Sequence, residues 1–211
     1  AINFPFAILL VAASDWTSTA NFGILHWVAM PSWAFLLVGL LLMDLVGAYL
    51  VHFIEHKIKV LWKFHMVHHA DTQVDTTTAN RHHPGESVIR AVFAILAILV
   101  CGAPIWIVFL YQSLSVVLSQ FNHANIRLPL WLDTALSYVI ISPNMHKVHH
   151  HWKQPYTDSN YGAVFSIWDR LLGTFMKLDP SKIRYGLDQY YPNEKDEDFV
   201  RLLKRPFQKL K

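Results

Sequence analysis

Histidines are crowded into three short segments of this chain. The sequence holds 13 histidines among 211 residues, and eight of them form H-x-x-x-H at 52–56 and H-x-x-H-H at 65–69 and 146–150. Residues three and four apart share one face of an α-helix. Each segment could therefore present several imidazoles to one metal ion, by the geometry that lets two histidines four residues apart bind zinc in H-E-x-x-H enzymes.

The first two segments cannot lie on one straight helix and face a common centre. His65 follows His52 by 13 residues, which at 100° per residue is about 220° of rotation. We therefore predict a bend within residues 57–64.

Two more histidines are candidate ligands although they lie outside these segments. His83 precedes Pro84, which favours an extended backbone and a different aim from that of a helical histidine. His123 lies where a long apolar region ends. His26, His82 and His151 are left out, because the first two have no partner at helical spacing and the third lies off the shared face. The predicted ligands are His52, His56, His65, His68, His69, His83, His123, His146, His149 and His150.

Ten imidazoles exceed the roughly six ligands of one ion, so the pattern indicates two metal ions. The single cysteine, Cys101, lies in an apolar run, which excludes a disulfide framework and a cysteine zinc site. Imidazole suits zinc, copper, iron or nickel, and the residues alone do not choose among them. The net charge of +3, without a basic stripe interleaved with aromatics, gives no indication of a nucleic-acid partner.

The elements that must position these histidines are predicted to be membrane helices. Hydrophobic residues make up 53% of the chain and charged residues 16%, against about 25% charged in soluble domains. Residues 30–51 are long enough to span a bilayer. Residues 88–120 are interrupted by C-G-A-P at 101–104, which predicts a helical hairpin. The shorter apolar piece at 128–142 is predicted to be interfacial or packed against other helices.

These patterns predict an all-α fold, an integral membrane helical bundle with a cytoplasmic histidine-rich metal-binding cap. No Lys or Arg precedes Lys57, and basic residues flank the histidine ends of the spans, so the positive-inside rule places the histidines on the cytoplasmic side. The polar tail from about Lys177 is predicted to be a solvated cap or short amphipathic helix. The expected segments are 1–56 (transmembrane), 57–87 (first histidine segment), 88–122 (transmembrane hairpin) and 123–211 (interfacial helix, second histidine segment and cap).

Taken in order, the motifs resemble those of the membrane-bound fatty acid hydroxylase and sterol desaturase superfamily. The resemblance covers about residues 44–175 and rests on the three histidine segments and on three further motifs. These are H-P at 83–84, N-H-A-N at 122–125 and N-Y-G-A-V-F-S-I-W-D-R-L-L-G-T-F at 160–175. The last motif is most similar to the bacterial sterol desaturase-like and alkylglycerol monooxygenase-like branches.

The resemblance implies two iron ions held by the ten histidines, with zinc possible in the isolated protein. It also implies O2 as co-substrate and a membrane lipid of sterol, fatty acyl or alkylglycerol type whose unactivated C–H bond is hydroxylated or desaturated. The two electrons would come from an external cytochrome b5-like or ferredoxin-like donor. Asp44, near the helix face of His52, is a candidate acceptor that orients a ligand imidazole. Asp75, Asn160 and Tyr161 are further candidates for positioning.

Two alternatives remain open from the sequence. A histidine-rich metal transporter would be expected to place ligands near the middle of the membrane, whereas every cluster here falls at the ends of apolar runs on one side. A zinc-loaded, non-catalytic member of the superfamily would retain the same motifs.

Overall fold

The structure, a computed structural model, describes residues 3–187 and 198–208. Within these ranges the fold is helical, with isolated antiparallel bridges at Ile140–Phe165 and His151–Tyr185 but no β-strand. This confirms the predicted all-α class. The helices are α1 (Asn3–Ala20), α2 (Ile24–Trp27), α3 (Ser32–Asp44), α4 (Val51–Lys57), α5 (Lys59–His69), α6 (Pro84–Cys101), α7 (Ile105–His123), α8 (Leu130–Leu136), α9 (Pro143–His149), α10 (Ile167–Leu171) and α11 (Phe199–Lys204).

Three helical segments among the described residues are long and apolar enough to cross a membrane. They are Ser32–Lys57, with 26 residues, Pro84–Cys101, with 18, and Ile105–His123, with 19. The first joins α3 to α4 through a π-helical segment, Leu45–Leu50. The other two form the predicted hairpin. Because the Lys57, Pro84 and His123 ends all lie at the histidines, one end of the bundle carries the candidate site.

A close backbone contact joins α1 to the tip of the hairpin. Gly102 ends α6 with φ +74°, and Gly23 has φ +105°. A Cβ on Gly23 would lie 2.3 Å from the Gly102 nitrogen, so a side chain there would collide with backbone. The Ser14 hydroxyl also donates to the Ala103 carbonyl at 2.8 Å. These contacts hold α1 beside α6 and α7.

Aromatic residues mark the end of the bundle that lies away from the histidines. Trp16, Trp27, Trp33 and Trp106 are each at least half exposed, and all lie near the tip of the hairpin or the start of α3. Tryptophan is enriched at membrane interfaces, where its ring meets both lipid and water. This belt agrees with association of the bundle with a membrane.

The predicted bend is confirmed at Ile58. Its backbone is extended, with φ −100° and ψ 112°, and it separates α4 from α5. α8 has only seven residues, too few for a span, and exposes Leu130 and Trp131. Both features fit the predicted interfacial segment. Of the predicted polar tail, α11 is a short helix, whereas residues 188–197 and 209–211 lie outside the described residues.

Candidate metal centre

Nine of the ten predicted ligands lie in two neighbouring groups of buried imidazoles. In each group one nitrogen per ring lies within 4.8 Å of the others. The groups meet where the His69 and His150 rings stack with centroids 4.6 Å apart. Group one is His52, His56, His65, His69 and His149, and group two is His68, His123, His146 and His150.

The helix ends bring these rings together. The bend at Ile58 folds α5 back so that His65 and His69 face the α4 histidines, as the helical spacing requires. His68 lies on the adjacent face of α5 and turns toward group two. The end of α7 adds His123 to that group. α9 supplies both groups, with His149 in group one and His146 in group two. His150, directly after α9, also joins group two, and its ring plane lies 89° from that of His149.

Backbone carbonyls determine the tautomer of four rings. A carbonyl oxygen only accepts a hydrogen bond, so a ring Nδ1 bound to it must carry the hydrogen and leave Nε2 with a lone pair. The pairs are His52 with Tyr161 (2.8 Å), His68 with Thr78 (3.0 Å), His123 with Ser119 (2.8 Å) and His149 with Ser159 (2.7 Å).

The resulting Nε2 lone pairs point at one another. In group one, Nε2 of His52 lies 3.1 Å from Nε2 of His65, whose Nδ1 donates to Glu86. In group two, the Nε2 atoms of His68 and His123 are 3.2 Å apart. Protonation does not relieve these contacts, because burial lowers the pKa of His65 to about 3, although Glu86 opposes the shift, and burial holds the pKa of His68 well below its usual range.

A cation in each group would satisfy these converging nitrogens. Two nitrogens bound about 2.1 Å from one ion at a right angle lie about 3 Å apart, close to both separations. Nε2 of His56 and Nε2 of His149 are also buried and have no hydrogen-bond partner among the residues that the structure describes. A buried imidazole nitrogen without a partner is costly. The residues present therefore fit metal ions in both groups.

Carboxylates surround group one. Oε1 of Glu86 accepts hydrogen bonds from Nδ1 of His65 (2.7 Å), Nδ1 of His82 (2.9 Å) and Nε of Arg90 (2.9 Å). On the other side of the group, Asp158 accepts from Nδ1 of His56 at 3.3 Å. Burial raises the pKa of Asp158, but hydrogen bonds from His56 and Lys57 outweigh it and hold that pKa below its usual range. Carboxylate oxygens, each also paired with a basic side chain, therefore lie against the outer nitrogens of His65 and His56.

The structure does not bring His83 to either group. Its side chain caps α6, with Nδ1 accepting from the Gly85 amide at 2.9 Å and Nε2 donating to the Leu203 carbonyl at 3.2 Å. Both nitrogens are thus engaged elsewhere. The neighbouring His82, which the sequence reasoning left out, stacks on His68 with centroids 4.6 Å apart. In the sequence, only the spacing of four residues between His82 and Glu86 could have indicated that His82 lies beside the histidine groups.

Asp44 binds no imidazole. Its two carboxylate oxygens accept from the Tyr111 hydroxyl, from the Val164 and Phe165 amides and from the Trp168 indole. The expected contact with a ligand imidazole is not made, because Asp44 lies eight residues before His52, about 12 Å along the helix, and its oxygens are engaged by these other donors. Asp44 instead joins the end of α3 to α7 and to residues 164–168.

Asp75 makes its described hydrogen bonds with loop residues and not with a histidine ring. Its carboxylate accepts from the amide and hydroxyl of Thr77, and its amide donates to the hydroxyl of Thr78. Asp75 therefore shapes the loop whose Thr78 carbonyl orients His68, without itself contacting a ring.

Asn160 and Tyr161 lie directly against the site. The Asn160 amide donates to the Met145 and Met176 carbonyls, which ties α9 to the C-terminal segment. Its backbone has φ +52°, a conformation that asparagine tolerates better than most residues. Tyr161 orients His52 through its carbonyl, and its ring contacts the His56 ring with centroids 5.1 Å apart.

Sequence reasoning missed the acids and the arginine that support the groups. Glu55 and Glu86 are fully buried, and both pair with Arg90, at 2.7 and 2.9 Å. Asp169 accepts from the amides of Tyr161 and Gly162 and so fixes the turn that presents the Tyr161 carbonyl. The available signal was the presence of charged residues at the ends of apolar helices, where they are rare unless paired.

A cavity of about 430 Å³ opens onto both groups from within the bundle. Residues of α1, the π-helical segment, α6 and α7 line it. Its histidine end is formed by His52 and His65 of group one and by His68, His123 and His146 of group two. Its volume lies in the range of small-molecule binding sites, so a ligand in the cavity would meet both groups.

Relatives of this chain act on lipids. It is 25% identical to an ornithine lipid hydroxylase from Rhizobium tropici, over 82% of this chain and 50% of the relative. Identity is 29% to the alkylglycerol monooxygenase of Xenopus tropicalis, over 67% and 30% of the two chains, and 26% to the rat methylsterol monooxygenase 1, over 70% and 50%. The chain thus spans half or less of the length of these relatives. No solved structure matches it.

The family model for fatty acid hydroxylases matches residues 36–174, about two thirds of the chain. The match begins in α3, ends just after α10 and includes both histidine groups. This chain belongs to the fatty acid hydroxylase family.

Proposed function

We propose that this protein is a membrane di-iron oxygenase that hydroxylates, or alternatively desaturates, an unactivated C–H bond of a lipid. The observation that carries the proposal is the convergence of Nε2 lone pairs in two adjacent buried groups at the end of a cavity between membrane helices. Two neighbouring metal sites facing a lipid-sized space are suited to oxidation of an apolar substrate.

Group one and group two would each hold one iron ion. Imidazole nitrogen is a good ligand for iron, although zinc could occupy the same sites in the isolated protein. When bound, the two ions would activate O2 for attack on a C–H bond. The overall hydroxylation consumes the substrate R–H, one O2, two electrons and two protons, and yields R–OH and one water.

The protein's own residues prepare the site for this chemistry. The carbonyls of Tyr161, Ser159, Thr78 and Ser119 keep the hydrogen of four ligand rings on Nδ1, so that Nε2 stays available to the metal. The burial of every ring in the two groups limits water at the reaction centre. The cavity positions the carbon to be oxidised, and this restriction of geometry is a large part of catalysis.

The proposal places the histidine end on the cytoplasmic side, where an external electron donor of the cytochrome b5-like or ferredoxin-like kind can reach it. The basic residues at that end support this orientation by the positive-inside rule. The lipid assignment is supported by relatives named as ornithine lipid, alkylglycerol and methylsterol oxygenases. Because these relatives are named for three different lipids, their names do not identify the substrate of this protein.

The test combines metal analysis with turnover. Protein from iron-sufficient cells is expected to carry about two iron ions per chain and, with reductant and a lipid extract, to consume O2 and place one ¹⁸O atom from ¹⁸O2 into a lipid product seen by mass spectrometry. Zinc alone with no O2 uptake would instead support a non-catalytic member of the family. Metal-dependent ion flux into vesicles without lipid oxidation would indicate the transporter.

A further inference from the structure

The walls of the cavity differ in polarity. Residues of α1, namely Phe6, Ala7 and Leu10, form an apolar wall, whereas α6 contributes both Ala91 and Ala94 and the polar Ser87 and Arg90. The α7 wall carries four polar residues at intervals of three or four, which is the spacing of one helix face. They are Gln112, Ser115, Ser119 and Asn122, and all four line the cavity.

The opposite face of α7 has the features of a lipid-facing helix surface, with exposed apolar side chains and an internally hydrogen-bonded serine. Val116 and Val117 are 61% and 64% exposed, and Ser113, also on that face, donates its hydroxyl to the Phe109 carbonyl of its own helix at 2.8 Å. Such an internal bond is the usual way for serine to be accommodated in a membrane helix. On the exposed side of α7, the Ser113 hydroxyl is thus hydrogen-bonded within its own helix. The polar residues on the other side line the cavity.

Asn122 gives independent evidence of a missing partner. Its residue is 2% exposed, and its Oδ1 is buried without a hydrogen-bond partner among the described residues. An unpaired amide oxygen in a membrane protein is costly unless a ligand or water binds it. Because Asn122 lines the cavity next to His123, a ligand bound there would have a polar atom close to the reaction centre.

The α7 face offers no charged group to an anionic part of a ligand. Arg90 is the one Lys or Arg side chain among the described lining residues. It is already paired with Glu55 at 2.7 Å and with Glu86 at 2.9 Å. A carboxylate or phosphate at Arg90 would find the arginine engaged and two acids beside it, so positive charge would be available to an anion only at the metal groups. The α7 face offers only uncharged amide and hydroxyl groups, which suit an uncharged hydrogen-bonding group.

We infer that this face of α7 (Gln112, Ser115, Ser119 and Asn122) is a binding subsite for an uncharged hydrogen-bonding part of the lipid, such as a hydroxyl, ether or amide group. The subsite extends over ten residues of helix, about 15 Å. Its Asn122 end lies next to His123 of group two, so the polar part of the substrate lies inside the bundle and reaches the metal groups at Asn122. The oxidised carbon is then near the polar end of the lipid and not at the remote end of its chain. This inference deepens the proposed function and rests on it.

Binding to the metal-loaded, full-length protein without reductant tests the subsite separately from turnover. The probes share one chain length: hexadecane, 1-O-hexadecylglycerol and hexadecanoate, each competing with a fluorescent lipid in detergent micelles. The wild type is expected to bind hexadecylglycerol at least about tenfold more tightly than either of the others, the gain expected from two net hydrogen bonds.

The variants Gln112→Met and Asn122→Leu remove one polar group each at nearly constant volume. Each is expected to weaken hexadecylglycerol binding about three- to tenfold and to leave hexadecane binding unchanged, whereas Ser113→Ala on the lipid face changes neither. Metal content and thermal melting identify any variant that fails to fold. Equal binding of all three probes by the wild type, or wild-type binding by both variants, would overturn the subsite. Selective binding without any O2-dependent product would overturn the proposed oxygenase and leave the subsite standing.

Discussion

The two histidine groups use the same side chain but are supported in different ways. In group one, backbone carbonyls bind Nδ1 of His52 and His149, and carboxylates bind Nδ1 of His56 and His65. In group two, the corresponding acceptors of His68 and His123 are backbone carbonyls. An anionic acceptor makes an imidazole a stronger ligand than a neutral carbonyl does. We therefore expect group one to bind its metal ion more tightly, and group two to depend less on individual side chains.

The largest effect is expected from loss of a ligand. His149→Ala should abolish metal binding in group one and reduce lipid oxidation more than about 100-fold, since even the acceptors behind metal ligands are worth about 10- to 100-fold. His151→Ala is the matched control, because Nδ1 of His151 accepts from the Arg184 amide at 3.1 Å and the ring belongs to neither group. Metal per chain and product yield are measured for both. Equal losses would contradict the assignment of faces.

The comparison itself is tested by removing a carboxylate. Glu86→Gln keeps the shape of the side chain but removes the charge that faces His65 and Arg90, so metal affinity of group one should fall about 10- to 100-fold. Chelator competition measures it. Ser119→Ala, which retains the carbonyl bound to His123, should leave metal affinity unchanged. If Glu86→Gln releases both ions equally, the two groups do not act as separate sites.

Substitution of Asp44 is expected to change metal binding less than the two substitutions above, but to lower the stability of the fold clearly. Asp44 holds residues 164–168 against α7. Asp44→Asn places an amide donor against the donors that now bind the carboxylate and should lower the free energy of unfolding by about 2–3 kcal/mol. Thermal melting of the metal-loaded protein is the measurement. Asp75→Asn, at an exposed turn, is the control. Loss of metal without loss of stability would show that Asp44 acts on one group directly.

The smallest effect distinguishes His82 from His83. His82→Ala removes the ring that stacks on His68 and donates to Glu86, and should weaken metal binding a few-fold, below the 10-fold typical of a direct acceptor. His83→Ala removes the α6 cap, at a cost of about 1 kcal/mol in stability, with metal binding unchanged. Metal titration and melting of the two variants check this. Release of metal by His83→Ala would restore His83 as a ligand.

Several features of the fold followed from residue patterns alone. Apolar length predicted the spans, the C-G-A-P interruption predicted the hairpin, and the 13-residue offset of His65 from His52 required the bend found at Ile58. Helical spacing also correctly paired His52 with His56, whereas each of the other two segments is divided between the groups. These features depend on local rules of helix geometry, which a short stretch of sequence contains in full.

The tertiary structure decided the features that depend on distant residues. Which histidines share a metal site could not be predicted, because His68 and His69 are neighbours in sequence but enter different groups. The place of His82 rather than His83 beside the site depends on the cap of α6 and on Glu86. The partners of Asp44 on α7 and in residues 164–168, which are distant in the chain, also could not be predicted from spacing. Local patterns thus specify a helical membrane protein with clustered histidines suited to metal binding. Their division into one group that carboxylates help to support and another whose described acceptors are carbonyls arose from packing between helices far apart in the chain, which local spacing does not encode.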